Sequence, residues 1–278
     1  MPTRFAHALI LATSLSLATT SVAQERDANT LAQELSNPAT SLASLSFKFD
    51  YRIYDGALPG ADAQEGFTFT FQPVLPFELD DGDKVIFRPA FSFPVDEPFF
   101  DASRGAFDDS GGIGDFGFDL AYAPKTDGKF SYGLGVLGGL PTGTNRRLRS
   151  GNWTLGPEFF GAYVDTWGIV GGLASHSWKV AGHGADVSLS SLQYFLFFSL
   201  GDGWQVGAGP TITYDWNGQP GDRWNVPVGL GVSKTTKLFG MPIKFNTELD
   251  YSIIRQDTFG AEWLVKFSIT PVIANPFD

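Results

Sequence analysis

Charged residues recur in this chain at a spacing of two or four. Lys48, Asp50 and Arg52 sit in 47-FKFDYRI-53, Asp115 and Asp119 in 115-DFGFDLAY-122, Lys244, Glu248 and Asp250 in 244-KFNTELDY-251, and Glu262 and Lys266 in 262-EWLVKF-267. Arg88, Glu158 and Asp215 extend the set. Mixed charges on one face can neutralise each other in a salt-bridge network or line a path for a polar solute, and the two roles are compatible. Catalysis has less to work with. Beyond residue 23 the only histidines are His176 and His183; Ser175, Ser177 and Asp186 lie nearby, but no nucleophile–base spacing stands out. His176 in 174-ASHSW-178 reads as a polar strand residue. With no cysteine, the chain has neither a thiol nucleophile nor a thiolate metal site. The acidic stretch 96-DEPFFDASRGAFDD-109 could hold calcium weakly, but reads first as a solvated loop. No enzyme activity, cofactor or resident metal is expected.

One motif invites a different chemistry. The glycines of 132-YGLGVLGGLPTGT-144 spell G-x-G-x-x-G at Gly133, Gly135 and Gly138. A dinucleotide turn needs a helix directly after its glycines and an acid about 20 residues on. The residues after Gly138, GLPTGTNRRLRSGNW, are too rich in Gly and Pro to open a helix. The glycines read instead as small residues on alternate positions of a strand.

The elements that must carry the charges are strands. Residues 1–23 carry Arg4, an apolar run from Ala8 to Ala18 and a small-residue ending at Ala23, the layout of a secretory signal peptide. The remaining chain has 18 Lys and Arg against 30 Asp and Glu, a formal charge of −12. That acidity argues against a nucleic-acid partner. The 26 Phe, 7 Trp, 8 Tyr and 33 Gly of the full sequence favour β structure, and no segment after the leader is apolar for long enough to span a membrane as a helix.

A short helix is expected near 28–36, with Asn29 as a possible cap and Pro38 barring continuation. From Leu42 the hydrophobic period becomes two, over twelve segments: 42–54, 66–79, 84–95, 113–124, 129–141, 152–164, 167–179, 187–200, 203–216, 222–234, 241–254 and 261–273. The seventh and eighth alternate least cleanly. Links after even-numbered segments are short (DDGD, KTDG, DT, GDG, KLFG), and those after odd-numbered ones mostly longer. An even strand count with alternating short turns and long loops predicts an all-β, transmembrane antiparallel barrel, its short turns periplasmic.

A soluble sandwich or lipocalin-like barrel would also alternate. The aromatic residues separate the readings. Trp167, Trp204, Tyr122, Tyr132 and Tyr163 lie beside short turns; Trp153, Trp178, Trp216, Trp224, Trp263, Tyr51, Tyr54, Tyr214 and Tyr251 lie beside long loops. Two belts at opposite strand ends match two lipid interfaces. The expected organisation is a leader over 1–23, a periplasmic segment with the short helix over 24–41 that could plug the lumen, and a barrel over 42–278.

Several stretches carry a family resemblance: 35-LSNPATSLASLSFKFDY-51, 71-FQPVLPFEL-79, 140-LPTGTNRRLRSGNWTLGP-157, 202-DGWQVGAGPTITYDW-216 and 224-WNVPVGLGVSKTTKLFGMPIKF-245. Over most of residues 35–275 the chain resembles the transporter-like outer-membrane proteins assigned to the MetA pathway of phenol degradation. The resemblance implies a twelve-stranded outer-membrane barrel passing small organic or aromatic compounds, and brings no catalytic or binding motif. One departure is the C-terminus, where Asp278 follows Phe277 and Pro271 and Pro276 interrupt the last strand. Phe277 stays in phase with Phe267 and Ile269, which bears on recognition by barrel assembly machinery.

With the apolar face toward lipid, the charged set lines the interior, and closure makes the last two strands neighbours of the first. Lys244, Glu248, Lys266, Lys48 and Asp50 are thereby expected to meet. Twelve strands leave a lumen between the filled interior of eight and the open pore of sixteen. Arg146, Arg147 and Arg149 form a cationic loop suited to anionic outer-leaflet lipid or, less directly, to solute selection. Three functions remain: a channel for small organic solutes, a structural or adhesive barrel, and a lipid hydrolase working from the outer wall.

Overall fold

The computed structural model describes residues 27–277; the expected leader over 1–23 and Asp278 lie outside them. A single short α-helix, α1 (Ala28–Glu34), precedes the strands. Its cap is Asp27, whose side chain accepts from the Thr30 amide, and not Asn29, whose Oδ1 accepts from the Gly203 amide at 2.7 Å.

The strands follow in chain order. They are β1 (Ser44–Asp55), β2 (Glu65–Glu78), β3 (Lys84–Asp101), β4 (Ala106–Ser110), β5 (Phe116–Ala123), β6 (Phe130–Leu140) and β7 (Asn152–Asp165). Next come β8 (Gly168–Gly182), β9 (Ser188–Gly201), β10 (Trp204–Ala208), β11 (Thr211–Asp215), β12 (Trp224–Leu238), β13 (Met241–Ile254) and β14 (Gly260–Pro271). Each barrel strand pairs antiparallel with its neighbours, and β1 pairs with β14 from Phe47↔Ile269 to Asp55↔Gly260, so the sheet closes. Among the described residues the closed barrel has twelve staves. β4 is an arm that folds back on the end of β3, and β10 with β11 make one interrupted stave.

Two expectations change here. The third strand does not stop at Val95 but runs to Asp101, because the acidic stretch is a hairpin arm rather than an irregular loop. The ninth breaks at Gly209-Pro210. Pro210 cannot donate to a ladder, and the Gly209 amide leaves it for Glu248 Oε1 at 3.0 Å.

The short turns are built for tight reversal. Asp202 and Gly203 (φ 48° and 73°), and Phe239 and Gly240 (52° and 82°), are all left-handed, the geometry of two-residue hairpins that match strand twist. Outward side chains form a continuous apolar band. Leu134, Val136, Phe159, Leu196, Leu230 and Leu249 are all exposed although large and apolar, the signature of a surface meeting hydrocarbon. Trp167, Trp204, Tyr122, Tyr132 and Tyr163 are exposed at the turn end, and Trp153, Trp178, Trp216 and Trp224 at the loop end. Tyr54 departs from the expected belt. Its position, in phase with Lys48, Asp50 and Arg52, turns it inward, where it is buried, donates to Glu97 Oε1 at 2.6 Å and stacks on Phe259 at 4.5 Å. Phe277 also departs. The last strand ends at Pro271, and Phe277 packs beside Phe77 at 4.3 Å instead of continuing the strand.

Candidate functional site

Period two fixes what the barrel interior contains. On β1, β3, β5, β7, β13 and β14 the residues opposite the apolar band are Lys48, Asp50 and Arg52, Arg88, Asp119, Glu158, Lys244, Glu248 and Asp250, and Lys266. Eight of these ten gather into three groups. Lys266 Nζ lies 2.5 Å from Glu248 Oε1 and 2.8 Å from Asp250 Oδ2. Arg88 pairs with Asp119 on the adjacent strand, and its Nη2 reaches Glu158 Oε1 at 3.0 Å. Arg52 bonds Asp50 at 3.3 Å. The expected meeting of β13, β14 and β1 thus occurs, in the register Glu248↔Lys266 and Asp50↔Lys266.

Glycines make one of these groups possible. On β12, a Cβ added at Gly229 would stand 2.0 Å from Asp250 Oδ1, and one at Gly231 2.9 Å from the Glu248 Cβ. The G-x-G stretch finds its use in the same way. A Cβ at Gly133 would meet the Phe160 ring at 2.4 Å, so the glycine seats a ring that is wholly buried.

Three of the anticipated interior residues lie at the loop end of their strands. Asp115 lies ahead of β5, and its carboxylate accepts from the Gly143 and Ser150 amides and the Ser150 hydroxyl, which anchors the 142–151 loop. Asp215 ends β11 and accepts from the Asn217 amide. Glu262 sits where the β1–β14 register shifts. All three belong to the loop end because their strands are shorter or more irregular than strict alternation implies.

The opposite wall is apolar on its inner face as well. Phe160, Ile169 and Phe195 are buried, with Leu173 and Phe197 packed beside them. This is why the segments now seen as β8 and β9 alternate poorly: in 195-FLFF-198 both faces are apolar, so the contrast that marks sidedness vanishes.

The segment 27–43 lies across the turn end of the lumen. Gln33 Nε2 donates to the Asp165 carbonyl at 2.6 Å, Ser131 Oγ to Asn37 at 3.0 Å, and Lys84 Nζ to the Ala39 carbonyl at 2.8 Å. Lys244 Nζ donates to Ser36 Oγ at 2.6 Å and to Gln205 Oε1 at 3.0 Å. Partners from β3, β6, β10 and β13 approach from all sides. Above the segment a cavity of about 300 Å³ remains, bounded by Lys48, Gln72, Lys244, Asn246, Phe195 and Phe197 among others.

The loop end is latched by charges. Asp108 lies between Arg104 and Arg147, and these bonds hold its carboxyl below the usual carboxylate range. Arg147 of the cationic loop is therefore committed to the β4 arm. Asp222 accepts from the Thr258 amide at 2.7 Å and its hydroxyl at 2.5 Å, which lowers its pKa in the same way. Phe107 of the arm packs on Phe259 at 4.8 Å.

One arrangement was invisible to linear spacing. His176 points outward, with Nδ1 2.8 Å from Ser190 Oγ on the neighbouring strand, between Trp178 and Trp216. Trp216 Nε1 donates to the same hydroxyl at 3.0 Å, and His176 Nε2 faces Ser188 Oγ at 3.4 Å. A histidine and a serine 14 residues apart meet only because β8 and β9 are paired.

No family model matches the chain, and no curated protein matches it. Solved structures do. An outer-membrane channel from Pseudomonas putida F1 superposes with a TM-score of 0.60 at 14% identity, over 84% of this chain and 96% of that one. The NanC porin superposes with a TM-score of 0.50 at 11% identity, over 83% of this chain and 99% of that one. At such identities the likeness is one of fold, and with the exposed apolar band and its two aromatic belts it makes this chain a bacterial outer-membrane β-barrel.

Proposed function

We propose that the chain is an outer-membrane channel or facilitator for small organic solutes, working through a narrow lumen that the 27–43 segment partly plugs. The observation that carries the reading is the two-sided interior: a charged wall faces an apolar aromatic one across a cavity of about 300 Å³. A barrel with only a structural role gains nothing from keeping that space open. A solute with an apolar body and a polar group finds both surfaces there. The resemblance to the phenol-degradation family points the same way, toward aromatic compounds. Expected partners are outer-membrane lipid, the solute and, during assembly, the barrel assembly machinery.

The test is passage. Purified protein in liposomes should admit small aromatic solutes or give discrete conductance in a planar bilayer. Neutralising Glu248 or Lys266 should change it, and removing residues 27–41 should raise it. A silent bilayer from protein that keeps heat-modifiable migration would favour a structural or adhesive barrel. Recovery as a soluble periplasmic protein would overturn the membrane reading.

A second reading has one observation in its favour. The His176–Ser190 pair lies on the outer wall at belt height, where a lipid ester could reach it. Against it, His176 Nε2 faces a hydroxyl where an orienting carboxylate would serve, and the Trp216 indole already occupies the serine oxygen. Lipid hydrolysis by purified protein, abolished in S190A, would establish it.

A further inference from the structure

We propose that the lumen cavity is a binding site for a small organic monocarboxylate with an aromatic body, its carboxylate held by Lys48 and Lys244 and its ring against Phe195 and Phe197. The inference rests on the channel reading above and names the solute class for it.

Charge pairing singles out the two lysines. The interior carboxylates on the charged wall are already engaged: Glu248 and Asp250 by Lys266, Asp119 and Glu158 by Arg88, Asp50 by Arg52. Two of the wall's cations are not. Among the described residues no carboxylate lies within 4.0 Å of the Lys48 or Lys244 ammonium group. Lys48 Nζ donates to the neutral Gln72 Oε1 at 2.5 Å. Lys244 donates to the neutral Ser36 and Gln205 oxygens, and its ammonium stands 5.3 Å from the centre of the Phe197 ring. Neutral acceptors satisfy these hydrogen bonds, so neither ammonium has a carboxylate in direct contact and each can accept one from a solute.

Position makes the two lysines a pair. Lys48 on β1 and Lys244 on β13 flank β14 at Ser268 and Thr270. Two strand spacings and a two-residue offset along β14, together about 12 Å, separate their backbones, within the joint reach of two lysine side chains. Asn246 shares the Ser268 row and adds an amide to the same side. In the same cavity the side chains of Leu173, Phe195 and Phe197 offer only carbon. The volume is at the low end of small-molecule pockets, about 300–1,000 Å³, which suits one ring. The nearby acids Asp50 and Glu248 disfavour a second negative charge on the solute, so a monoanion fits best.

Isothermal titration in detergent micelles, with protein-free micelles as blank, would use benzoate, its uncharged counterpart benzyl alcohol, and acetate. Benzoate should bind at least tenfold more tightly than either. Lys48→Gln should weaken benzoate at least fivefold and leave benzyl alcohol unchanged; Lys48→Arg should retain binding. Phe197→Ala should weaken both aromatic ligands, and heat-modifiable migration shows that each variant is folded. Equal affinity for benzoate and benzyl alcohol, no binding of benzoate, or indifference to K48Q overturns the site. Liposome uptake separates the two claims. Passage of neutral aromatics without benzoate preference removes the inference and keeps the channel, whereas benzoate binding without passage of any solute keeps the site and removes the channel.

Discussion

Across the lumen, β13, β14, β1, β3 and β5 turn charges inward, while β8 and β9 turn Ile169, Leu173, Phe195 and Phe197 inward. Glu158 and Phe160, adjacent inward positions of β7, mark the border between the two walls. Each wall solves the same problem, a face that meets neither lipid nor bulk water, by different physics. The charged wall holds together only while its charges stay paired, since desolvation roughly offsets the attraction. The apolar wall gains from contact area and depends on shape, which is why a glycine on β6 faces a phenylalanine on β7.

The charged wall is most vulnerable at Arg88. Arg88→Met strands the Asp119 and Glu158 carboxylates inside the barrel, and about 3–5 kcal/mol of stability should be lost. Urea unfolding followed by heat-modifiable migration measures it. The companion R88M/D119N/E158Q should recover most of that loss, because no unpaired charge remains; failure to recover would mean that Arg88 acts through packing. On the other wall, Phe160→Leu keeps most of the volume and should cost about 1 kcal/mol. A larger loss would show that the ring, and not apolar volume alone, is what Gly133 accommodates.

The smallest effect lies outside both walls. Asp108 and Asp222 have carboxyl pKa values lowered by Arg147 and Arg104 and by Thr258. A depressed folded pKa gives stability that is present above the unfolded value, about 3.9, and lost as pH falls through the folded one. The loop latches should therefore hold through neutral and mildly acidic pH and open only below the ordinary carboxylate range. Pepsin cleavage within 101–110 and 217–223 should rise between pH 4 and pH 2, and D108N should expose the first segment already at pH 4.

The same contrast between walls decides how much was legible in the sequence. Where one face is charged and the other apolar, as in 47-FKFDYRI-53, alternation gives strand, sidedness and, through closure, the neighbours of Lys266. Where both faces are apolar, as in 195-FLFF-198, the strand is visible but its inner face is not, and the aromatic half of the cavity stayed hidden. Nearness to a long loop suggests the belt for Tyr54 although its even position turns it inward, and the register shift at Glu262 is a feature that alternation alone does not reveal. His176 and Ser190 could be found only through the β8–β9 pairing.

The seam between β1 and β14 has a consequence for how the molecule comes into being. Phe47 and Ile269 are partners, so the barrel cannot close before its final strand is available. Loop closure over more than two hundred residues is among the slowest kinds of contact to form. Until then both sheet edges stay unpaired, and an unpaired edge invites pairing with another chain. The seam carries the phenylalanine stack of Phe49 and Phe267 at 6.0 Å. That stack is a contact the growing chain acquires last, and weakening it should slow biogenesis more than it lowers the stability of the finished barrel.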